Sequence, residues 1–274
     1  MSLGHLSING VLAIIGGGRM GAAIIDGLVS SGALGAGSIV VAEPNADRRA
    51  ELVSAYGVRG VERATEAVDG AGMVLLAVKP QVIDDVVGSI SRTVGDALVI
   101  SIAAGVSCAR LESQLPAGAA VVRVMPNAPA RVGDGMSVIS GGTHATDVHL
   151  DLARHIFSWL GKTLVLDERD QDVATAISGC GPAYVALVVD ALARAGVRHG
   201  LTRAVAEELA VRTVAGTATL ISRTGQHPER IIDEVSSPGG VTAAALEALE
   251  AGGVRAAFAE AVSAAITRAK ELSS

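Results

Sequence analysis

The sequence predicts an α/β protein with a doubly wound parallel sheet in residues 1–167 and an all-helical domain in residues 168–274. In the first part, short β-branched apolar runs alternate with helical patterns. This alternation is typical of strand–helix–strand units, in which helices cover both faces of a parallel sheet. After about Asp167 nearly all of the sequence has helical periodicity instead.

Five apolar runs bounded by Gly, Pro or Asp predict strands that are buried on both faces, and two further runs complete the sheet. The predicted strands are residues 11–15, 38–42, 73–77, 98–102, 120–125, 135–140 and 163–166. The predicted helices between them are residues 20–31, 46–56, 81–92 and 147–160.

The C-terminal part is too long for one helix and too apolar for a solvated appendage. Glycine and proline divide it into several helices, and Thr202 is the predicted N-cap of a long one. Aromatic residues make up only 2% of the chain, so its helix faces are built mainly from small and aliphatic side chains. We expect these faces to pack against another subunit.

Composition excludes several classes of protein. Half of the 274 residues are apolar and 18% are charged, which predicts a large core rather than disorder. The net charge of −6 argues against a nucleic-acid partner. Two cysteines give no disulfide framework, which fits a reducing cytoplasm.

No membrane span and no signal peptide are expected. The apolar stretch 173–189 is interrupted by Gly179-Cys180-Gly181-Pro182, whereas a spanning helix needs about 20 consecutive apolar residues. Residues 1–10 lack a basic start and a cleavage pattern. The prediction is therefore a cytoplasmic protein.

A glycine-rich turn predicts a dinucleotide site. Gly16, Gly18 and Gly21 satisfy G-x-G-x-x-G, directly after a predicted strand and at the start of a predicted helix. This is the context that a Rossmann-type dinucleotide site requires, with the pyrophosphate at the helix N-terminus. The intervening Arg19 and Met20 are also predicted to contact the cofactor.

The second predicted strand ends at Glu43, where an acidic side chain would accept hydrogen bonds from the adenosine ribose. That position favours NADH. However, Asn45, Arg48 and Arg49 follow at once, and such side chains are able to bind the 2′-phosphate of NADPH. The cofactor is therefore predicted to be NADPH or NADH.

Three further strand ends are predicted at the same edge of the sheet, where open α/β sheets bind ligands. The first carries Ala77, Val78, Lys79 and Pro80. The other two lie at residues 101–105, with Ala104 as the predicted contact, and at residues 125–127, with Met125 and Asn127. Together they predict the nicotinamide end of the cofactor site.

The chain resembles the pyrroline-5-carboxylate reductase family over nearly its whole length. The matching segments are residues 16–21, 77–80, 123–127, 177–184 and 235–242. The resemblance implies a Rossmann domain followed by a helical dimerisation domain, a homodimer that often assembles into rings such as decamers, and reduction of 1-pyrroline-5-carboxylate to L-proline.

The resemblance also implies that Ser237, Gly239, Gly240 and Thr242 hold the substrate. A Ser-Ser-Pro-Gly-Gly-Val-Thr turn that opens a helix offers backbone N–H groups and hydroxyls to a carboxylate. Thr242 is the predicted catalytic side chain, through a hydrogen bond to the ring nitrogen. No general acid is required if the imine binds already protonated, and no metal is predicted.

Two positions depart from the family pattern. Cys180 stands where the family usually has serine, so a contact that relies on that hydroxyl is weakened. Arg223 stands where many bacterial members have glutamate, so an active-site carboxylate is absent there.

Two alternative functions remain open from the sequence. One is a different cyclic-imine reductase or a β-hydroxyacid-type dehydrogenase, which typically needs a lysine on the helical domain, and Lys270 is the one lysine in the last third of the chain. The other is a non-catalytic dinucleotide-binding protein.

Overall fold

The computed structural model describes residues 10–273, which contain one eight-stranded sheet. Its strand order is β3-β2-β1-β4-β5-β6-β7-β8, and β1 to β6 are parallel to one another. The strands are β1 (Val11–Ile15), β2 (Ile39–Ala42), β3 (Arg59–Val61), β4 (Ala71–Leu76), β5 (Leu98–Ser101), β6 (Val121–Met125), β7 (Gly135–Gly141) and β8 (Gly161–Val165).

The reversal of β7 follows from a short connection. β7 is antiparallel to β6, and only the 3₁₀ turn Ala128–Val132 lies between them. A parallel return would need a crossover of about a dozen residues or more. β8 is again parallel to its neighbour β7, because a helix, α6 (Asp147–Ser158), connects the two. The last two strands therefore run against the rest of the sheet.

Seven helices lie in the same part of the chain as the sheet. They are α1 (Arg19–Ser30), α2 (Ala46–Tyr56), α3 (Ala64–Val68), α4 (Ile83–Ile90), α5 (Cys108–Glu112), α6 and α7 (Gln171–Ala174). α7 continues directly into a π-helical turn, Thr175–Gly179. The sequence analysis did not predict β3, α3 and α5, each of which has only three to five residues.

Alternate residues of a strand point to opposite faces of the sheet and pack into two separate cores. Helices cover both faces, as in a doubly wound sheet. Leu12 and Ile14 belong to the cluster on one face, and Ala13 and Ile15 to the cluster on the other. The first cluster includes side chains of α1, α2 and α6, and the second includes side chains of α3, α4 and α5. Burial on both faces explains why the strand sequences are almost continuously apolar.

The rest of the described chain is helical, as predicted. The chain divides into two compact units, residues 180–265 and the remaining described residues. The helices are α8 (Gly181–Arg198), α9 (Arg203–Thr224), α10 (Pro228–Val235), α11 (Val241–Ala251) and α12 (Val254–Ser273). The side chain of Thr202 caps α9 by accepting from the N–H of Val205. The boundary after residue 167 stays a prediction.

A buried arginine ties the middle of the sheet to the segment after β8. Arg123 of β6 is only 8% exposed, and its guanidinium contacts Asp172 at 3.1 Å and Glu168 at 3.5 Å. Glu168 Oε1 also accepts from the N–H of Cys108 at 2.7 Å. Burial, followed by the charge of Glu168, raises the pKa of the Cys108 thiol far above its ordinary range.

We expect Arg123→Leu to lower the free energy of unfolding by about 2–4 kcal/mol, because it leaves two carboxylates without their buried counter-ion. Urea denaturation would measure this change. As the matched control, Arg154→Leu removes an exposed ion pair with Asp151 and should cost less than about 1 kcal/mol. Equal effects of the two substitutions would contradict the proposed importance of the buried ion pair.

Candidate functional site

The turn between β1 and α1 requires glycine at its first position. Gly16 has a φ of +107°, and a Cβ there would lie 2.7 Å from the carbonyl oxygen of Ala77. Its N–H donates to the carbonyl of Ala42 at 2.9 Å. A side chain would therefore be excluded both by the backbone conformation and by the neighbouring strand end.

The other two glycines of the motif have opposite environments. A Cβ at Gly21 would clash with the carbonyl oxygen of Gly16, whereas a Cβ at Gly18 would meet no atom within 4 Å. Gly18 is the N-cap of α1, and no side chain caps this helix. The first-turn N–H groups of α1 are therefore open to an anion, and the space beside Gly18 suits a pyrophosphate.

A cleft of about 730 Å³ opens from this turn along the carboxyl ends of β1 to β4; we call it the glycine-turn cleft. It contains both basic and acidic side chains. Its lining residues are Ile15, Gly16, Gly18, Ala42, Glu43, Pro44, Glu62, Arg63, Ala64, Thr65, Ala77, Val78, Lys79, Gln81, Val82, Val86 and Ser89. This position matches the ligand site of open parallel sheets.

Glu43 is held in place by backbone donors. Its Oε2 accepts from the N–H of Gly17 and its Oε1 from the N–H of Asn45, each at 3.0 Å. The Asn45 side chain caps α2 by accepting from the N–H of Arg48 at 2.9 Å. Glu43 lines the glycine-turn cleft, whereas Asn45 lies next to it along the chain and is not among the lining residues.

The structure brings only part of the predicted cofactor set together. Gly16, Gly18 and Glu43 line the glycine-turn cleft with Ala77, Val78 and Lys79. Pro80 begins the 3₁₀ turn Pro80–Val82 beside the cleft. Six more predicted positions are not among its lining residues: Arg19, Met20, Gly21, Ala104, Met125 and Asn127. Arg19 lines a separate small pocket with Arg48 and Arg131. For these positions a cofactor role stays a prediction.

Asn127 has a structural role that the sequence did not indicate. Its Nδ2 donates to the carbonyl of Ser178 at 3.0 Å, and its Oδ1 accepts from the N–H of Met136 at 2.9 Å. The side chain therefore joins the end of β6 to β7 and to the π-helical turn. π-helical turns are rare, and those that occur are frequently at functional sites.

The far wall of the glycine-turn cleft was missed by sequence reasoning. Glu62, Arg63, Ala64 and Thr65 follow β3 directly and line the cleft. The only local signal was the short apolar run at residues 58–61. It follows Gly57, which has a φ of +70° and ends α2. Three residues are too few for a period-2 pattern to be recognised.

The Ser-Ser-Pro-Gly-Gly turn, residues 236–240, is a second candidate anion site. The N–H of Gly240 donates to the carbonyl of Ser237 at 2.9 Å, and Gly239 has a φ of +68°. Pro238 thus stands where a type II turn prefers proline and Gly239 where it needs glycine. Gly240 is the N-cap of α11, which has no side-chain cap.

This second turn offers several unused donors. The first N–H groups of α11 have no intrahelical partner, as at every helix start. The Ser236 Oγ is buried and has no hydrogen-bond partner in the described part of the chain. Thr242 is half-buried in the first turn of α11, and Ser237 is exposed. The four predicted substrate residues therefore lie together in one turn and helix start.

The two departures from the family pattern lie in ordinary helical positions. Cys180, a free cysteine, immediately precedes α8, and Arg223 lies in the last turn of α9, where a cation is favourable. Partial burial, followed by the neighbouring Cys180, raises the pKa of Tyr184.

His227 caps α10 through its Nδ1, which accepts from the N–H of Glu229 at 3.3 Å.

The described residues, 10–273, contain no group of three His, Cys, Asp or Glu side chains that could hold a metal ion. One helical stretch, Glu168–Arg198, is long and apolar enough to cross a membrane by length and composition alone. Little of its most apolar window is buried within the single chain. The absence of a membrane partner therefore stays a prediction.

Comparison with known proteins identifies both parts of the chain. Residues 168–272 match a family described as pyrroline-5-carboxylate reductase dimerisation, and residues 11–105 match one described as NADP oxidoreductase, coenzyme F420-dependent. A pyrroline-5-carboxylate reductase of Synechocystis is 45% identical over 261 residues, which is 95% of this chain and 97% of the relative.

Solved structures of the same family have the same fold as this chain. The pyrroline-5-carboxylate reductase of Coxiella burnetii superposes with a TM-score of 0.91 at 33% identity, over 97% of this chain and 99% of that one. The Plasmodium falciparum pyrroline carboxylate reductase, solved with NADP bound, gives 0.89 at 29% identity, over 99% and 100%. The predicted fold and family are confirmed.

The contrast between Gly18 and Gly21 yields a test of the phosphate-binding turn. Gly18→Ala should reduce dinucleotide affinity more than about tenfold, because its Cβ would occupy the space left for the pyrophosphate. Its effect on thermal unfolding should be small. Gly21→Ala should instead destabilise the protein by about 1–3 kcal/mol through overpacking. Cofactor-fluorescence titration and thermal melts would separate the two effects, and unchanged affinity in Gly18→Ala would refute the assignment.

Proposed function

The chain belongs to the pyrroline-5-carboxylate reductase family, and from that premise we propose that it reduces 1-pyrroline-5-carboxylate to L-proline with NADPH or NADH. This reaction is the final step of proline biosynthesis. One observation carries the proposal: a single chain holds an open glycine turn at one helix N-terminus and an uncapped Ser-Ser-Pro-Gly-Gly turn at another.

The glycine-turn cleft would hold the cofactor. The first turn of α1 would bind the pyrophosphate beside Gly18, with Glu43 near the adenosine ribose and Lys79 at the end of β4. When bound, the reduced nicotinamide supplies the hydride that adds to the imine carbon. The contribution of the cleft residues is to bind and orient, which is the main demand of hydride transfer.

The Ser-Ser-Pro-Gly-Gly turn would bind the substrate. Its carboxylate is an acceptor that matches the N–H groups at the start of α11 and the hydroxyl of Ser237. Gly239 and Gly240 keep the turn narrow, because a Cβ at Gly240 would clash with the Ser237 Oγ. Thr242 would accept a hydrogen bond from the N–H of the protonated imine.

The chemistry then needs no general acid. A protonated imine that accepts a hydride becomes the neutral amine of the product without a further proton. Carbonyl reduction, by contrast, needs a proton donor for the oxygen, and Lys270 lies in the last turn of the C-terminal helix α12. The residues present therefore favour an imine over a 3-hydroxyacid as the substrate.

The helical unit also favours assembly from identical subunits. Leu187 of α8 and Leu209 of α9 are exposed in the single chain, and Val241 at the start of α11 is 90% exposed. A monomer rarely leaves so much apolar surface in water. We place these faces in a homodimer interface, with a decamer as a larger possible assembly, in a cytoplasmic enzyme.

The activity is tested with purified protein, racemic pyrroline-5-carboxylate and either NADPH or NADH. We expect loss of the absorbance of the reduced cofactor and formation of proline. A protein that binds dinucleotide yet turns over neither mixture would contradict the proposal.

Removal of one hydroxyl tests the substrate turn. Thr242→Ala should lower kcat/KM by about 10- to 100-fold, the effect of losing a hydrogen bond to a charged partner. Cofactor affinity should be unchanged. Thr93→Ala, which removes a hydroxyl bonded to the carbonyl of Ile90 on an exposed residue, is the matched control. Equal activities of the two variants would exclude a role for Thr242.

A charge placed on the exposed face of α8 tests the assembly. Leu187 is 69% exposed, and Leu187→Glu should shift the protein to monomers because a buried unpaired carboxylate is costly. Val148→Glu, on the exposed surface of α6, should leave the molar mass unchanged. Light scattering after size exclusion would measure both, and an unchanged assembly in Leu187→Glu would argue against this interface.

A further inference from the structure

Two side chains from the next strand–helix connection bond the backbone N–H and the backbone carbonyl of Gly17. Its N–H donates to Glu43 Oε2 at 3.0 Å, and its carbonyl accepts from Arg48 Nε at 2.8 Å. Gly17 is buried, so both polar groups need partners from the protein. Glu43 is therefore part of the architecture of the glycine turn as well as a lining residue of the cleft.

The same contacts fix the direction of the Glu43 carboxylate. Each oxygen accepts one backbone N–H, from Gly17 and from Asn45. A carboxylate offers about four acceptor positions, so acceptor capacity remains for a ligand in the cleft. Glu43 follows β2 directly, where a bound dinucleotide places its adenosine ribose.

The nearby arginines are held by acceptors of the protein and do not line the cleft. Arg48 contacts the carbonyl of Gly17 and pairs with Glu51 at 2.7 Å. Arg49 Nη1 donates to the carbonyls of Glu43 at 2.5 Å and Pro44 at 3.3 Å. Neither arginine is among the residues that line the glycine-turn cleft. Each guanidinium thus already donates to at least one backbone carbonyl.

The arginine on the opposite wall of the cleft forms an exposed ion pair with a neighbouring carboxylate. Arg63 lines the cleft, but its Nε contacts Glu66 Oε1 at 2.5 Å. Its neighbour Glu62 lines the cleft as well. The adenosine end therefore presents two carboxylates, Glu43 and Glu62, and one arginine that is already paired.

We propose that Glu43 makes this chain select NADH over NADPH. The inference rests on the proposed function and names its hydride donor. The carboxylate accepts hydrogen bonds from the free ribose hydroxyls of NADH, and such charge-assisted bonds are strong. The 2′-phosphate of NADPH removes one of these donors and brings a charge of about −1.5 to −2 against a carboxylate that backbone bonds hold in place.

Binding measurements test this preference independently of catalysis. Titration by cofactor fluorescence or calorimetry should give a Kd for NADH at least about tenfold below that for NADPH. The ratio should shrink as ionic strength rises, since repulsion at a partly exposed site is screened by salt. A wild-type ratio near one, or in favour of NADPH, would overturn the proposal.

Two variants separate discrimination from support of the turn. Glu43→Gln keeps the size of the side chain but removes the charge and one of the two backbone hydrogen bonds, because its amide nitrogen cannot accept from an N–H. It should bring the two Kd values within about threefold of each other. Arg48→Met removes the hydrogen bond to the carbonyl of Gly17. It should leave the ratio of the Kd values for NADH and NADPH at its wild-type value. A collapse of the ratio in Arg48→Met as well would mean that Glu43 acts only by supporting the turn.

The failure of this inference is distinguishable from failure of the proposed function. Tight and selective NADH binding without turnover of pyrroline-5-carboxylate would contradict the activity and leave the preference standing. Turnover with both cofactors at equal affinity would support the activity and contradict the NADH preference. Circular dichroism of Glu43→Gln and Arg48→Met would establish that both variants are folded when their affinities are compared.

Discussion

Backbone packs directly against backbone where the glycine turn meets the end of β4, and the rest of the site depends on this contact. Gly16 lies against the carbonyl of Ala77, and Gly21 lies against the carbonyl of Gly16, with no room for a Cβ at either position. The start of α1 is thereby fixed at the carboxyl edge of the sheet. From there its N–H groups face the same cleft as the residues that follow β2 and β4.

Sequence reasoning was most reliable where the pattern is local. The buried strands are continuously apolar because each face contacts a helix layer, so β1, β2, β4, β5 and β6 were recognisable from composition alone. The three motif glycines were recognisable because their spacing and their place between a strand and a helix are local features of the sequence. Lys79 and Glu43 could be placed at the cleft because a strand end in a parallel sheet always points to the same edge.

The remainder depends on contacts between segments that are distant in sequence. Arg123 and Asp172 are 49 residues apart in the sequence, and Asn127 and Ser178 are 51 apart. Neither contact produces a pattern that the sequence alone would reveal. β3 is too short for a pattern, so the wall that carries Glu62 and Arg63 was not predicted. The directions of Arg48 and Arg49 were equally undetermined, since rotamers of long side chains are set by the acceptors around them.

The small core of the helical unit has a consequence for how the protein reaches its native state. Its buried cluster consists of Ala193, Ala206 and Ala210, with Val189 packed against them. Three methyl groups contribute little free energy relative to the entropy of ordering long helices. In a homo-oligomer, the stability of this unit therefore rises with protein concentration by mass action. Dilution would loosen the helices and separate the subunits in a single coupled transition, and newly made chains would complete their folding only on meeting one another.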